Sequence, residues 1–471
     1  MIINNINHDC EYHIQKIALM FFPLKKTGED SGVYITVSKD GELITAEASA
    51  FGKTEKDSRM LDGGEELSTA LSLLLFSVLV NLTGFTPPWG ILYGVRPARL
   101  MHAKTELLGA DGAADFFRHS LVSEKKLALA QEVMRAENGI IALSRPNSFS
   151  LYVSVAFCPS RCNYCSFVSH SVGNASHLIE PYVRLLCREL GENARVAKEL
   201  GLRLESIYFG GGTPTTLSAE QLETVFKCIE KNYDLSTLRE YTVEAGRPDT
   251  VTKDKLETLK AHGVSRISIN PQTFSDEVLK AIGRRHSVKQ VYDAFELARK
   301  CGFDNINMDL IAGLNTESYE SFCNSVNSAT ALGAESITVH NLALKSAAYL
   351  VTESKYYDLS KKAQTARMID YSYDCLTAEG YRPYYMYRQS KSLGNLENCG
   401  YSKEGKECLY NIFMMDETHS VLSAGAGAVT KIKNPNSGHL DRIYNYKYPY
   451  EYIDGFDEML RRKDKIAEFY K

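Results

Sequence analysis

The chain has 471 residues, 44% of them hydrophobic and 24% charged, with a formal net charge of -4. That balance belongs to an ordinary folded chain long enough for about two or three domains, and it excludes disorder and an overall nucleic-acid footprint. The N-terminal stretch MIINNINHDCEYHIQK lacks a basic flank followed by an apolar run, so no secretory leader is read and a cytoplasmic location is expected.

Residues 1–145 read as a separate N-terminal α+β unit. Segment 32–49 predicts two strands around Lys39-Asp40-Gly41, because Asp-Gly suits a tight turn. A helical stretch follows over 64–83. Its apolar window, Leu67 to Leu82, is short for a membrane span, contains Ser and Asn, and is flanked by Glu65, Glu66 and Gly84, so it reads as a buried helix. After the Pro-Pro-Trp-Gly break at 87–90, the GVRPARLMH segment carries Arg96 and Arg99. They suit either an anionic ligand or a surface turn and helix start, and the second reading is favoured.

From 146 to 345 strand-like and helical runs alternate. Apolar runs lie at 151–157, 203–210, 240–245, 266–270, 305–311 and 335–341, with helical periodicities at 178–200, 218–232, 252–262, 275–301 and 316–332. Strands separated by helices pair in parallel, which predicts an α/β fold, a partial (β/α)6 barrel, with a doubly wound sheet as the alternative. Residues 346–471 are rich in Tyr, Lys and Arg and end in a polar helical run. They are expected to form a mixed extension over the substrate.

The run CPSRCNYC places Cys158, Cys162 and Cys165 in a C-x3-C-x2-C array directly after the first of these strands. A structural zinc site usually shows two spaced ligand pairs, and the other cysteines are scattered singly, although His170 is a conceivable fourth ligand. Disulfides are disfavoured without a leader. Closely spaced thiolates suit an iron–sulfur cluster better, and zinc remains the alternative on spacing alone.

Active sites of parallel β/α assemblies form at the carboxyl ends of the strands. The cysteines follow strand one; Gly210-Gly211-Gly212-Thr213 follows strand two. Glu244 ends strand three, strand four leads to Gln272, Asp309 lies near the end of strand five, and strand six runs toward Ala343. The glycine run is neither a P-loop nor a dinucleotide fingerprint; it is a bare turn or a cradle for an amino-acid head group. Glu244 and Asp309 can act as acid and base or accept hydrogen bonds from ligand hydroxyls and amines. Arg284 can pair with a carboxylate, or stand as an exposed helix-end arginine. Asp309, in an apolar strand, needs partners.

Together with YTVEAGRPDT, RISINPQTF, INMDLIAGL, YYMYRQ, GNLEN and THSVLSAGAGAVTK, these motifs resemble the radical S-adenosylmethionine (SAM) superfamily. Within it the chain is similar to the oxygen-independent coproporphyrinogen III oxidases, in particular the HemZ type with its GVRP segment. The resemblance implies a 4Fe–4S cluster on Cys158, Cys162 and Cys165, whose open iron binds SAM and cleaves it to a 5'-deoxyadenosyl radical. It implies Tyr152 and Tyr164 near that ligand, Gly211, Gly212 and Thr213 at its methionine part, and Glu244, Gln272, Arg284, Asp309 and Ala343 around it. The implied reaction is oxidative decarboxylation of coproporphyrinogen III to protoporphyrinogen IX, with an electron donor such as flavodoxin or ferredoxin. Arg382 and Arg388 are candidate partners for the substrate carboxylates. Phe167 stands where the best-studied oxidases have a further cysteine. The HemW-like haem chaperones also carry an aromatic residue there, which makes haem binding or haem modification the rival expectation.

Overall fold

The computed structural model describes residues 1–23, 25–94, 96–165, 170–343, 359–389 and 392–470. Phe167 lies outside the described residues, as does Val95 of the GVRP segment.

The predicted hairpin forms. β1 (Ile2–Ile6), α1 (Glu11–Phe21), β2 (Tyr34–Asp40), β3 (Leu43–Ala50), β4 (Lys53–Met60) and α2 (Leu67–Thr83) follow in order. They build a 4-stranded sheet in which β1 pairs parallel with β2 and the rest are antiparallel. Alternate residues of β3 are buried, so one face of this sheet lies under the helices, with Ile35, Val37, Ile44, Ile17, Leu71, Leu75 and Leu79 in a core of its own. The apolar α2 is thus a core helix, as its composition predicts.

Two further helices, α3 (Pro97–His119) and α4 (Glu124–Ile141), start at a proline in the first turn and at a Ser123 cap. With Trp89 they pack into the core of the larger sheet and not into that of residues 1–85.

The alternating region forms β5 (Ser148–Val155), α5 (Ile179–Glu199), β6 (Arg203–Gly211), α6 (Ala219–Asn232), β7 (Glu240–Glu244), α7 (Lys253–Ala261), β8 (Arg266–Ser268), α8 (Val288–Lys300), β9 (Ile306–Ala312), α9 (Tyr319–Ala331) and β10 (Ser336–Asn341). From β5 to β10 every neighbour is parallel and in chain order. The periodicity over 275–301 is not one helix. A short turn of helix, Asp276–Ala281, ends at Gly283, whose φ of 78° reverses the chain before Ser287 caps α8.

The C-terminal region adds strands to both edges of this sheet. After α10 (Leu359–Ala378), β11 (Arg382–Arg388) and β12 (Glu397–Ser402) extend the β10 edge as antiparallel strands. α11 (Leu409–Asp416) leads to β13 (Ser420–Ala424), which pairs parallel with β5, and β14 (Val429–Lys433) and β15 (Leu440–Tyr444) continue that edge. The result is an 11-stranded sheet whose edge strands are β11 and β15, a partial and unclosed barrel. The polar C-terminal run is three short helices, Pro449–Asp454, Phe456–Arg461 and Asp464–Tyr470. They are held by a buried pair, Lys463 Nζ to Glu189 Oε1 at 2.8 Å, in which both side chains are 0% exposed. Glu189 also accepts from Gly425 N, Asn445 Nδ2 and Tyr452 Oη.

Candidate active site

A cavity of about 360 Å³ opens at the carboxyl ends of the parallel strands. Cys158, Cys162 and Cys165 line it together with Tyr164, Gly211, Gly212, Thr213, Glu244, Gln272, Arg284, Asp309 and Ala343. Residues separated by most of the chain therefore meet at one mouth, as strand topology predicts.

The cysteine loop is fixed at both ends. Asn163 N–H donates to Ile282 O at 3.0 Å and its side chain to Ala281 O at 3.0 Å, while Ser160 Oγ donates to Gly283 O at 3.2 Å. The turn at Gly283 thus props the loop and sends Arg284 into the cavity. On the other side, the glycine run lies against the strand leaving β5. Gly212 N–H donates to Val155 O and Thr213 N–H to Phe157 O, each at 2.7 Å, and a Cβ at Gly212 would stand 2.4 Å from Phe157 O. These two N–H groups therefore brace the cysteine loop and are not free to donate to a ligand. Thr213 Oγ1 instead donates toward Cys158 Sγ at 3.5 Å.

Glu244 accepts from Tyr208 Oη at 2.6 Å, yet burial pushes its carboxyl up to about 7. Asp309 behaves oppositely. Burial works against its charge, but a contact to His340 Nε2 at 3.6 Å and a hydrogen bond from Asn307 Nδ2 at 2.7 Å hold it below the usual carboxylate range. Burial disfavours the His340 cation, but Asp309 more than compensates and raises its pKa. Gln272 sits in the left-handed region with φ 70°, its N–H donating to Asp309 O at 2.8 Å, a conformation uncommon for any residue but glycine.

Arg284 is not an open fork for a ligand carboxylate. Nη1 donates to Asn270 O at 2.7 Å and Nη2 to Tyr164 Oη at 3.3 Å, which leaves Nε buried without a partner. Tyr152 does not line the cavity; its ring stacks on Tyr208 and Tyr410 behind the wall. His170 lies outside the cavity as well, with its ring against Tyr448 and Tyr450. Arg382 is exposed at the start of β11, beside Ser402 and so at the strand end away from the mouth. Arg388 is buried on the opposite face of β11 from the cavity-lining Tyr387 and Gln389. Neither arginine meets the mouth. Arg96 and Arg99 begin α3 as expected, but both pair with Glu417, at 2.6 and 2.5 Å, and do not simply face solvent.

Two arginines were not singled out from sequence. Arg247, 3% exposed, donates through Nη2 to Ser160 Oγ at 2.9 Å and through Nη1 toward Cys162 Sγ at 3.6 Å. Arg266, 1% exposed, donates to Ser336 Oγ at 2.8 Å and lines the cavity with Nε unpaired. A charged residue inside the apolar run RISIN was the available signal for Arg266.

Among the described residues no three His, Cys, Asp or Glu side chains are gathered to grip a single ion. The three thiols stand on one loop that lines the cavity, with Thr213 and Arg247 donating toward two of them. That arrangement suits thiolates on separate irons, whose negative charge such donors stabilise.

Residues 152–329 match the Radical SAM superfamily. Over 98% of this chain and 96% of its relative, the sequence is 33% identical to the oxygen-independent coproporphyrinogen-III oxidase-like protein HemZ of Bacillus subtilis. The chain belongs to the radical SAM family of oxygen-independent coproporphyrinogen oxidase-like proteins. The same family context includes the heme chaperone HemW of Bacillus subtilis, 32% identical over 64% of this chain and 77% of that protein. The solved coproporphyrinogen III oxidase HemN of Escherichia coli superposes with a TM-score of 0.54 over 69% of this chain and 73% of its own, at 22% identity, which speaks for the fold. Membership of the radical SAM superfamily implies a 4Fe–4S cluster and SAM, and the donor set described above fits both. Among the described residues no helix is long and apolar enough to cross a membrane.

Proposed function

We propose that this radical SAM protein is an oxygen-independent coproporphyrinogen III oxidase (a coproporphyrinogen dehydrogenase), producing protoporphyrinogen IX with flavodoxin or ferredoxin as electron donor. The observation that carries this reading is the meeting of the three cysteines with Glu244, Gln272, Arg284 and Asp309 on one cavity, in a chain that aligns nearly end to end with a HemZ.

In this reading Cys158, Cys162 and Cys165 hold the cluster and leave one iron to SAM; once bound, the pair supplies the one-electron chemistry that removes a substrate hydrogen atom. Thr213 and Arg247 donate toward the thiolates and steady their charge. Asp309 stays ionised and accepts ligand hydrogens, while Glu244 gains that ability as pH rises through about 7. Arg266, with its unpaired Nε, and His340, with its raised pKa, offer positive charge to substrate carboxylates inside the cavity. Tyr385 and Tyr387, stacked at 6.3 Å and 19°, supply a flat aromatic wall suited to a pyrrolic ring system.

The test is anaerobic incubation with SAM, dithionite and coproporphyrinogen III. Protoporphyrin after reoxidation, with a matching amount of 5'-deoxyadenosine, is the expected result. The similarity to HemW favours a second reading, haem binding and delivery. Stable haem binding with no porphyrin product would replace the first reading by the second.

A further inference from the structure

A second concavity, of about 370 Å³, lies on the far face of β11. Its wall is apolar, built from Leu92, Pro97, Leu100 and Ala103, and Arg388 lines it from below. Arg388 is only 3% exposed. Nη2 donates to Leu92 O at 2.6 Å, and the guanidinium lies 5.6 Å from the Trp89 ring, but Nε and Nη1 have no partner. Glu397 does not complete it, because that carboxylate is bonded to Lys126 Nζ at 2.8 Å and Trp89 Nε1 at 2.7 Å. Burial accordingly pulls the arginine down to about 9, with Glu397 opposing only in part. A buried guanidinium with two nitrogens unpaired is costly unless something supplies acceptors.

The rim adds charge of the same sign. Arg96 and Arg99 line the groove and share Glu417 with Arg442 and Lys431, so one carboxylate faces four cations. A bare inorganic anion would find a cation there but carbon walls around it. An uncharged apolar molecule would fit the walls and leave Arg388 unsatisfied.

We infer that this groove binds a small amphiphilic carboxylate, its oxygens accepting from Arg388 and its apolar body lying on Leu92, Pro97, Leu100 and Ala103. The site is separate from the cysteine cavity, since Tyr387 and Gln389 face that cavity while Arg388 faces away.

Trp89, the one tryptophan of the chain, reports on the site directly. Anaerobic titration of the cluster-loaded protein with octanoate, read by tryptophan fluorescence and by calorimetry, is expected to give saturable binding. Octanol and inorganic phosphate are expected to bind at least about tenfold more weakly, the size of a lost charge-assisted hydrogen bond or of lost apolar burial. Arg388→Met is expected to weaken octanoate by about the same factor. Ala103→Phe, at an exposed position, is expected to block the groove with no change in thermal unfolding, so it decides the matter if the arginine variant does not fold. Absence of saturable octanoate binding would overturn the inference. So would equal binding of octanol or phosphate, or octanoate affinity unchanged in both variants.

Discussion

Glu244 and Asp309 share a cavity, but their surroundings separate them. Burial pushes Glu244 up to about 7, whereas for Asp309 the opposing influence of His340 and Asn307 exceeds that of burial. The ionised form of Glu244 is the better acceptor for ribose hydroxyls or an ammonium group. SAM affinity is therefore expected to improve as pH rises through about 7, and Glu244→Gln to bind SAM more weakly with that pH dependence removed; equilibrium binding at several pH values checks both. Asp309 was legible in the sequence because a carboxylate within INMDLIA needs partners. Arg266 carried the same signal in RISIN. Arg247 did not: its contact with Cys162 spans 85 residues, and nothing local in YTVEAGRP marks it. Gly211 and Gly212 were legible as special positions, but only the geometry shows that the run braces the cysteine loop through Val155 and Phe157.

Between elements, Glu417 joins the most ion pairs among the described residues. It follows α11 in the left-handed conformation, φ 59°, and reaches Arg96 and Arg99 at the start of α3 and Arg442 in β15. Burial opposes its ionisation, yet the arginines win and hold it at about 2, against an ordinary value of 4.5. A depressed carboxylate stabilises the fold at pH values above its unfolded pKa and loses that contribution as pH falls toward the folded one. Glu417→Gln is expected to cost about 3 kcal/mol at neutral pH. The gap to the parent should close progressively below pH 4.5; denaturant melts across that range measure it. The β/α alternation itself was readable, since apolar strands and amphipathic helices alternate on their own periods. The split of the 275–301 periodicity had its signal in the polar run Gly283–Ser287, where Gly283 takes a positive φ and Ser287 and Gln290 form a capping box that starts α8.

At the scale of the molecule, the C-terminal region completes both sides of the sheet. That arrangement was illegible because β13 pairs with a strand far earlier in the chain, Ser420 opposite Phe149, and pairing partners leave no local trace. The buried Lys463–Glu189 pair ties the terminal helices to α5 and, through Gly425, to the loop after β13. Lys463→Met leaves an uncompensated buried carboxylate and is expected to lower unfolding stability by about 3–5 kcal/mol. Adding Glu189→Gln, which removes the charge but keeps an acceptor for Gly425, Asn445 and Tyr452, should recover part of that loss, which a double-mutant cycle of denaturation midpoints reads directly.

The partner of β5 has a further consequence, one of timing. As the chain leaves the ribosome, the strand that carries the cysteine loop has β6 beside it early, but its other edge stays open until residues 420–424 emerge. An open central strand is an aggregation hazard while it lasts. β5, the strand that carries the cysteine loop, therefore depends on a segment far downstream in the chain to close its second edge.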